Sequence, residues 1–599
     1  MLNLNPPNSP LSPNNPDSKN LILALVLGTL IMGGWQYFYE GPRVAAQQAA
    51  IAEQKKLAAA VEKIGALPQS TALQSNVPHA GADEARLTRE ALLAKQSDAR
   101  LPIRSNSLHG SVSLIGGRID DLTLAKYRES LDKNSKEVVL LAPTASKESY
   151  FAEFGWLAGS EAIALPNAKT LWQADGKELT PEHPMTLRYK NPQGITFIKK
   201  ITLDKKYLFT IEMQVENKGQ SPVTLYPYGL IQRTYDDVGH KHFAILHEGP
   251  LGVFNNALTN EKYKKLKEEG VQKFDADNGW IGITDKYWLS ALIPDKAHPF
   301  SAQMKYLTRD GKDAYQVDYR GQALTIEPGQ SASVSNHLFA GAKEVNVLDK
   351  YRDEQGFALF DRAVDFGMFY FLTKPIFYAL NFIYKFAANF GVSILILTVC
   401  IKMLMYPLAN KSFTAMSKMK LLMPKVKELQ DQHKDDKLKM NTAMMELYKK
   451  EKVNPMSGCL PILVQIPVFF SLYKVLFVTI EMRHAPFFGW IADLSAPDPT
   501  NIFTLLGLLQ WNPPAFLHIG IWPLIMCLTM VIQQKLNPKP TDPVQAVVIS
   551  YMPYMFLFMF ATFPAGLVIY WAWNNTLSIL QQRVIQKKIE RQSAAAKQR

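Results

Sequence analysis

Lys402 stands inside the apolar run that begins at Ser393, five residues before Pro407, where a stretch crowded with Lys and Met begins. Holding an ionisable group at membrane depth costs roughly 2.5 to 3.5 kcal/mol on insertion scales, so such a residue is a functional-site hypothesis by default. The chemistry it offers is electrostatic: attraction of an acidic or polar group, or an ion site. Thr398 lies four residues earlier and shares its face on a helix. Gln465, Asn574, Asn575, Thr576 and Ser578 are further polar groups within apolar segments. In hydrocarbon each needs a partner or water, so they are expected to converge on a wet cavity or on one another. A second reading of Lys402 is snorkelling, since about 7.5 Å of helix separates it from Pro407 and its stem reaches that far. Lys474, near the outer end of its segment, is read as snorkelling.

Six apolar segments are long enough to hold such groups in a bilayer: 21–39, 391–408, 459–479, 516–533, 548–564 and 566–582. The first has 19 residues and ends in Trp35, Tyr37, Phe38 and Tyr39. At about 1.5 Å per residue it matches the ~30 Å hydrocarbon thickness. A cleaved signal peptide has a shorter apolar core and a more basic start than this Pro/Asn-rich tail, so the segment is read as an uncleaved anchor. Residues 409–458 carry eleven Lys, whereas 480–515 carry one Arg and no Lys, which places 409–458 in the cytoplasm. The apolar, aromatic segment 362–388, broken by Thr373-Lys374-Pro375, must then lie along the outer interface, inside an interfacial amphipathic region 346–390. Six transmembrane helices leave 1–20, 534–547 and 583–599 in the cytoplasm. The last of these has six basic residues against Glu590, which agrees.

Charge follows the same division. Residues 41–350 carry 39 Lys/Arg against 36 Asp/Glu, and 351–599 carry 26 against 15. The basic excess therefore belongs to the apolar part, pointing to membrane orientation and anionic lipids before any specific nucleic-acid sequence. The three cysteines, Cys400, Cys459 and Cys527, all fall in apolar segments, so the polar middle folds without disulfides.

Residues 40–100 are rich in Ala, Gln, Lys and Glu and lack Phe, Trp and Tyr, which reads as a linker or loose helix. From 101 to 345 short runs with period-two alternation, as in Tyr207 to Glu216, are separated by Gly, Pro and Asn. They predict one antiparallel β-sandwich domain. His240 and His242 would share a strand face near Asp236, Asp237 and Glu248, but the spacing matches no ligand signature, and surface histidines are the preferred reading. No phosphate loop, nucleophile elbow or zinc-protease signature is present, so no enzyme, cofactor or metal site is assigned.

The cytoplasmic stretch 409–458 predicts a helical hairpin, Ser412 to His433 with Pro424 as a candidate kink, then Lys437 to Lys452. Met416, Met419 and Met423 fall on a stripe of the first helix, Met440 and Met444 on the second. Seven of the chain's 21 Met lie in these 50 residues, a concentration suited to varied apolar partners. The plainer alternative is a Met-filled seam with a solvated Lys face. Lys and Met beside an intramembrane cation describe a place where an apolar segment with charged flanks is received.

The sequence resembles the YidC family of membrane protein insertases, in the Gram-negative form with a large periplasmic domain. The specific parts are Met405-Tyr-Pro407 before the Lys/Met hairpin, the run Val453 to Pro467 containing Asn454-Pro455 and Cys459-Leu-Pro461, and the run Phe563 to Trp571 containing Pro564-Ala-Gly566. Their order and spacing match along essentially the whole chain from Asn20. The resemblance implies a polytopic α-helical membrane protein with a five-helix insertase core and a periplasmic β-supersandwich similar to sugar mutarotases. It implies a hydrophilic groove open to cytoplasm and lipid, with Lys402 in place of the usual Arg, which keeps charge but loses the planar fork. Thr398, Gln465, Asn574 and Asn575 fall to the groove. Phe469, Tyr570 and Trp571 fall to a surface along which substrate slides, Trp571 where the family often has Tyr. Expected partners are nascent membrane proteins, the Sec translocon, the ribosome and signal-recognition targeting machinery, and anionic lipids. The insertase is expected to be monomeric and in the bacterial inner membrane. The apolar stretch Ile502 to Trp511, followed by Asn512-Pro-Pro514, departs from the family pattern and has no assigned role.

Two other classes compete with this reading. A transporter or channel using Lys402 as an ion site predicts paired broken helices in two related halves, and no such repeat is visible. A membrane-tethered sugar-modifying enzyme would place its activity in residues 101–340.

Overall fold

The computed structural model describes residues 87–597 apart from 160–162, 236–245, 310, 434–435, 452–459, 510, 512, 515–516 and 538–542. The cytoplasmic tail 1–20, the anchor 21–39, most of the linker 40–100, His240 and His242, Asn454-Pro455 and Cys459 lie outside the described residues.

A short helix, α1 (Arg89–Lys95), leads into strands that run from Arg100 to Ala342 in two antiparallel sheets. One sheet has ten strands, with Tyr150–Ala158, Val223–Thr234 and Lys312–Gly321 side by side. The other has nine, centred on Trp288–Ile293, Ser331–Ala342 and Leu208–Asn217. In the strand Leu208–Asn217 the apolar Phe209, Ile211, Met213 and Val215 are buried while Glu212 is exposed, the signature of a strand with one face on the core. The sandwich core is contributed by such residues from both sheets, joined by α2 (Tyr263–Glu269) packed on one edge. The fold is thus a β-sandwich followed by a helical C-terminal part.

The helices are α3 (Val345–Glu354), α4 (Tyr370–Ala387), α5 (Phe390–Leu404), α6 (Tyr406–Gln432), α7 (Lys437–Lys450), α8 (Leu460–Val478), α9 (Ile521–Leu536), α10 (Pro543–Phe560) and α11 (Ala565–Lys597). Several boundaries differ from expectation. The helix expected over 391–408 stops at Leu404, and the chain turns by 70° into α6 with no loop between. Pro407 sits in the first turn of α6, where a missing N–H leaves no bond unmade. Thr373-Lys374-Pro375 does not break the segment 362–388; α4 begins at Tyr370 and runs on through Pro375, which lies in its second turn and has no N–H to give to the turn before. No break separates 566–582 from the basic tail, since α11 continues to Lys597. Among the described residues no single helix is long and apolar enough to cross a membrane alone. The bent pair of α5 and α6 passes together, and Gln465–Val478, Ile521–Leu536 and Gln545–Phe560 are shorter apolar stretches.

Buried polar contacts join α3, which follows the last strand directly, to the helices after it. Lys374 is 7 % exposed and donates to Asp349 Oδ1 at 2.6 Å and Asp361 Oδ2 at 2.7 Å, pinning α4 beneath α3. Burial alone would push its ammonium pKa down, but the hydrogen bonds to both carboxylates and to Tyr370 hold it above its ordinary value. Val345 N donates to Glu481 Oε1 at 3.0 Å, so the loop after α8 caps α3. Burial, reinforced by the neighbouring charge of Glu344, pushes the Glu481 carboxyl up to about 7. Lys474 also belongs to this junction. Read from the sequence as snorkelling, it instead pairs with Asp365 at 3.0 Å, because the chain before α4 brings a carboxylate to the C-terminal half of α8.

Candidate functional site: a polar seam among the C-terminal helices

The register of α11 is set from outside it. The N–H groups of Ala565 and Gly566, which a helix start leaves unpaired, donate to Ala496 O at 2.7 Å and Leu494 O at 3.0 Å in the loop after α8. A side chain at Gly566 would approach Leu494 O to 3.1 Å, so glycine suits this close contact. Further along, Trp573 Nε1 donates to Leu395 O at 3.2 Å, tying α11 to α5. Asn575 Nδ2 donates to Thr529 Oγ1 at 3.2 Å, tying it to α9. Gln582 and Gln586 extend that attachment, donating to Asn537 Oδ1 and Leu536 O, both at 3.0 Å.

This placement brings Ser578 to Lys402. The ammonium, in the last turn of α5, donates to Ser578 Oγ at 2.7 Å, and the serine hydroxyl donates onward to Asn574 O at 2.9 Å. Among the described residues no carboxylate is within ion-pair distance of Lys402, while the C-terminal end of α5 favours positive charge there. Thr398, one turn earlier, is 2 % exposed and returns its hydroxyl to Ile394 O at 2.6 Å. It lines the seam with its body and offers no free donor.

Gln465 on α8 donates its amide to the Tyr570 hydroxyl. Tyr570 is only 2 % exposed, so it stands behind the surface and not on it. Phe469 and Trp571 are half-buried, and their rings meet edge to face at 4.7 Å, with Phe560 5.1 Å from Trp571. Asn574 contributes its carbonyl to the Ser578 contact, and Asn575 is 5 % exposed. Ser412 and Ser417 on α6, Ser471 on α8, and Gln581 and Gln582 on α11 each hold a buried polar atom with no hydrogen-bond partner among the described residues. Sequence reading passed over these and Thr529. The criterion that found Gln465, a polar residue inside an apolar helix, would have found Ser471 and Thr529 as well.

The hairpin of α6 and α7 turns at Asp436, whose carboxylate accepts from the N–H groups of Leu438 and Lys439, both at 3.1 Å. Its packed side is made by Phe413, Leu422 and Val426. Met416, Met419, Met423, Met440 and Met444 are all half-buried, so they edge the seam and remain reachable.

A family model described as the YidC periplasmic domain matches residues 100–379, and one described as 60Kd inner membrane protein matches 382–592. This chain belongs to the YidC family. A relative from Rickettsia akari, named membrane protein insertase YidC, is 49 % identical over 570 residues, covering 95 % of this chain and 99 % of its own. Its namesake from Rickettsia canadensis is 49 % identical over 574 residues, covering 96 % and 100 %. A crystal structure described as an active YidC insertase aligns 82 % of this chain with 96 % of its own at 15 % identity and a TM-score of 0.33, which carries no argument. The YidC relatives are inner-membrane proteins with a periplasmic domain, and their name describes insertion of membrane proteins and no bond-making chemistry.

Proposed function

We propose that the chain is an insertase and chaperone of the inner membrane, with six spans, both termini in the cytoplasm and the β-sandwich in the periplasm. Lys402 attracts an acidic or polar tail of a nascent membrane protein into a wet groove among α5, α6, α8 and α11, shortening the distance that tail must cross. The apolar segment of the substrate meanwhile passes Phe469 and Trp571 into lipid, driven by burial of apolar area at about 25 cal/mol per Å². Met416, Met419, Met423, Met440 and Met444 receive the segment on the cytoplasmic side. Nascent chains arrive from the ribosome and signal-recognition targeting machinery, with or without the Sec translocon, and a monomer suffices. The basic end of α11 meets anionic lipid or ribosomal RNA.

The observation that carries this reading is the state of Lys402. Its ammonium has three donors and is held by one neutral hydroxyl, beside helices in which the hydroxyls of Ser412, Ser417 and Ser471 and one amide atom each of Gln581 and Gln582 lack a partner among the described residues. An unmade bond at a buried polar group costs about 1–3 kcal/mol, so a seam with several is built to be wet or to receive polar groups. The test is insertion into liposomes of a short single-span substrate with an acidic tail, read by protease protection. Lys402→Ala should lower the insertion rate about tenfold, equivalent to ~1.4 kcal/mol in the barrier, and Lys402→Arg should keep it. Equal rates for Lys402→Ala and the parent would sink the electrostatic role.

A further inference from the structure

The stretch that departs from the family pattern forms a defined turn. A short 3₁₀ helix spans Ile502–Gly507, capped by Asn501, whose side chain accepts from Phe503 N at 3.0 Å. Leu509 N donates to Thr504 O at 2.9 Å, and Trp511 Nε1 donates to Phe503 O at 2.9 Å, closing the turn on itself. The turn is fastened to the start of α9: Asp498 Oδ2 accepts from Trp522 N at 2.9 Å and Thr500 Oγ1 from Ile521 N at 3.0 Å.

The backbone is thus satisfied while the side chains are not. Leu508 is 83 % exposed, Leu505 56 %, Leu509 48 %, Trp511 47 % and Phe503 39 %. Leu505 even holds a left-handed φ of 47°, where a bulky residue is an outlier, and still presents its side chain outward. Residues 499–517 contain no Asp, Glu, Lys or Arg. A patch of this kind on a soluble face marks an interaction site.

Its position says with what. Ile502 packs on the cluster of Ile519, Cys527, Leu557 and Ala561, which joins the entry and first half of α9 to the end of α10. The turn is therefore continuous with the exposed apolar flank of that helix pair, where Ile525 and Leu528 are open. The pair is short: α9 has 16 residues, about 24 Å, and α10 has 18, about 27 Å, against a hydrocarbon core of ~30 Å. An apolar cap at one end makes up the missing height, and a Trp with a bonded N–H suits the headgroup boundary.

We propose that Phe503, Leu505, Leu508, Leu509 and Trp511 form a lipid-binding wedge that enters the outer leaflet of the bilayer beside the outer ends of α9 and α10. The outer side rests on the topology proposed above; the contact with lipid does not.

The test places a single cysteine at Leu508 or, separately, at Leu505 in the full chain with Cys400, Cys459 and Cys527 replaced by alanine. Each is labelled with an environment-sensitive fluorophore in phosphatidylethanolamine–phosphatidylglycerol vesicles, and a label at Leu131, 52 % exposed on the β-domain, is the control. Lipids carrying a nitroxide near the headgroup should quench the wedge labels about twofold or more beyond the control, as an interfacial depth requires. Quenching equal to the control would overturn the wedge, whether aqueous iodide reaches the label or a second copy or another protein shields it from both quenchers. Two sites keep the test decisive where one label disturbs the turn. Failure of the groove reading is distinguishable, since it would show in insertion by Lys402→Ala and leave lipid quenching unchanged.

Discussion

At Lys402 the decisive feature is what the ammonium lacks. A hydroxyl holds it at 2.7 Å without neutralising it, so in the proposed groove the charge remains available to an arriving carboxylate. The neighbouring pair of Gln465 and Tyr570 has a different task. With Tyr570 2 % exposed, the amide-to-hydroxyl bond fixes α8 against α11 and so positions Phe469 beside Trp571. Replacing Gln465 by Leu keeps the bulk and strands the tyrosine hydroxyl, which should lower stability by about 1–3 kcal/mol in thermal unfolding. An unchanged melting temperature would mean that water already serves that hydroxyl.

Among elements, α4 combines both kinds of contact: Ile376, Phe377 and Leu380 are buried in the core, and a buried cation stands beside them. Its exposed side carries Phe371, Tyr378, Phe382 and Phe386, while Lys374, one turn before Tyr378, is clamped by Asp349 and Asp361. Lys374→Met would leave Asp349 and Asp361 to Arg352 alone, with two buried hydrogen bonds unmade, a cost of about 1–3 kcal/mol. Faster proteolysis between α3 and α4 is the expected readout. The contact between α3 and the loop after α8 is sensitive to pH. Glu481 has a folded pKa near 7 against an ordinary value of 4.5, so the native state holds its proton more tightly than the unfolded chain. The stability it contributes is therefore complete below about pH 4.5 and is lost as pH rises through 7. Hydrogen exchange at the Val345 amide, corrected for intrinsic rates, should show protection falling between pH 5 and 8, with Glu481→Gln flat over that range.

At the scale of the molecule, the β-sandwich and the helices share a buried junction but not a site. The residues of the proposed groove all come from helices after residue 389, and the contacts among them make no use of the sheets. Deleting 101–340 should therefore spare insertion per correctly assembled molecule. It should also lower thermal stability, because Phe360 loses its ring contacts with Trp280 and Phe339 and becomes exposed apolar surface. Loss of insertion in well-folded deleted protein would assign the β-domain a part in the reaction.

Much of this was legible in the residues. Alternation in Leu208–Asn217, the apolar helices, the Lys-rich hairpin and the lone cation of α5 are local patterns, and periodicity reports them without knowledge of neighbours. The YidC motifs carried the family. What the residues alone left open was pairing. Lys402 had a cavity and a snorkelling reading, and its partner lies 176 positions away; Lys474 was read as snorkelling, and its carboxylate lies 109 positions away. Tyr570 and Trp571 are adjacent in sequence and differ in exposure because consecutive helical residues face about 100° apart, so the packing of α8 buries one and leaves the other half-open. Sequence by itself determined which segments are apolar, which alternate and where an isolated charge must be explained. Only the tertiary structure decided which charge is paired, since an ion pair or hydrogen bond forms wherever packing brings donor and acceptor within about 3 Å, whatever their separation along the chain.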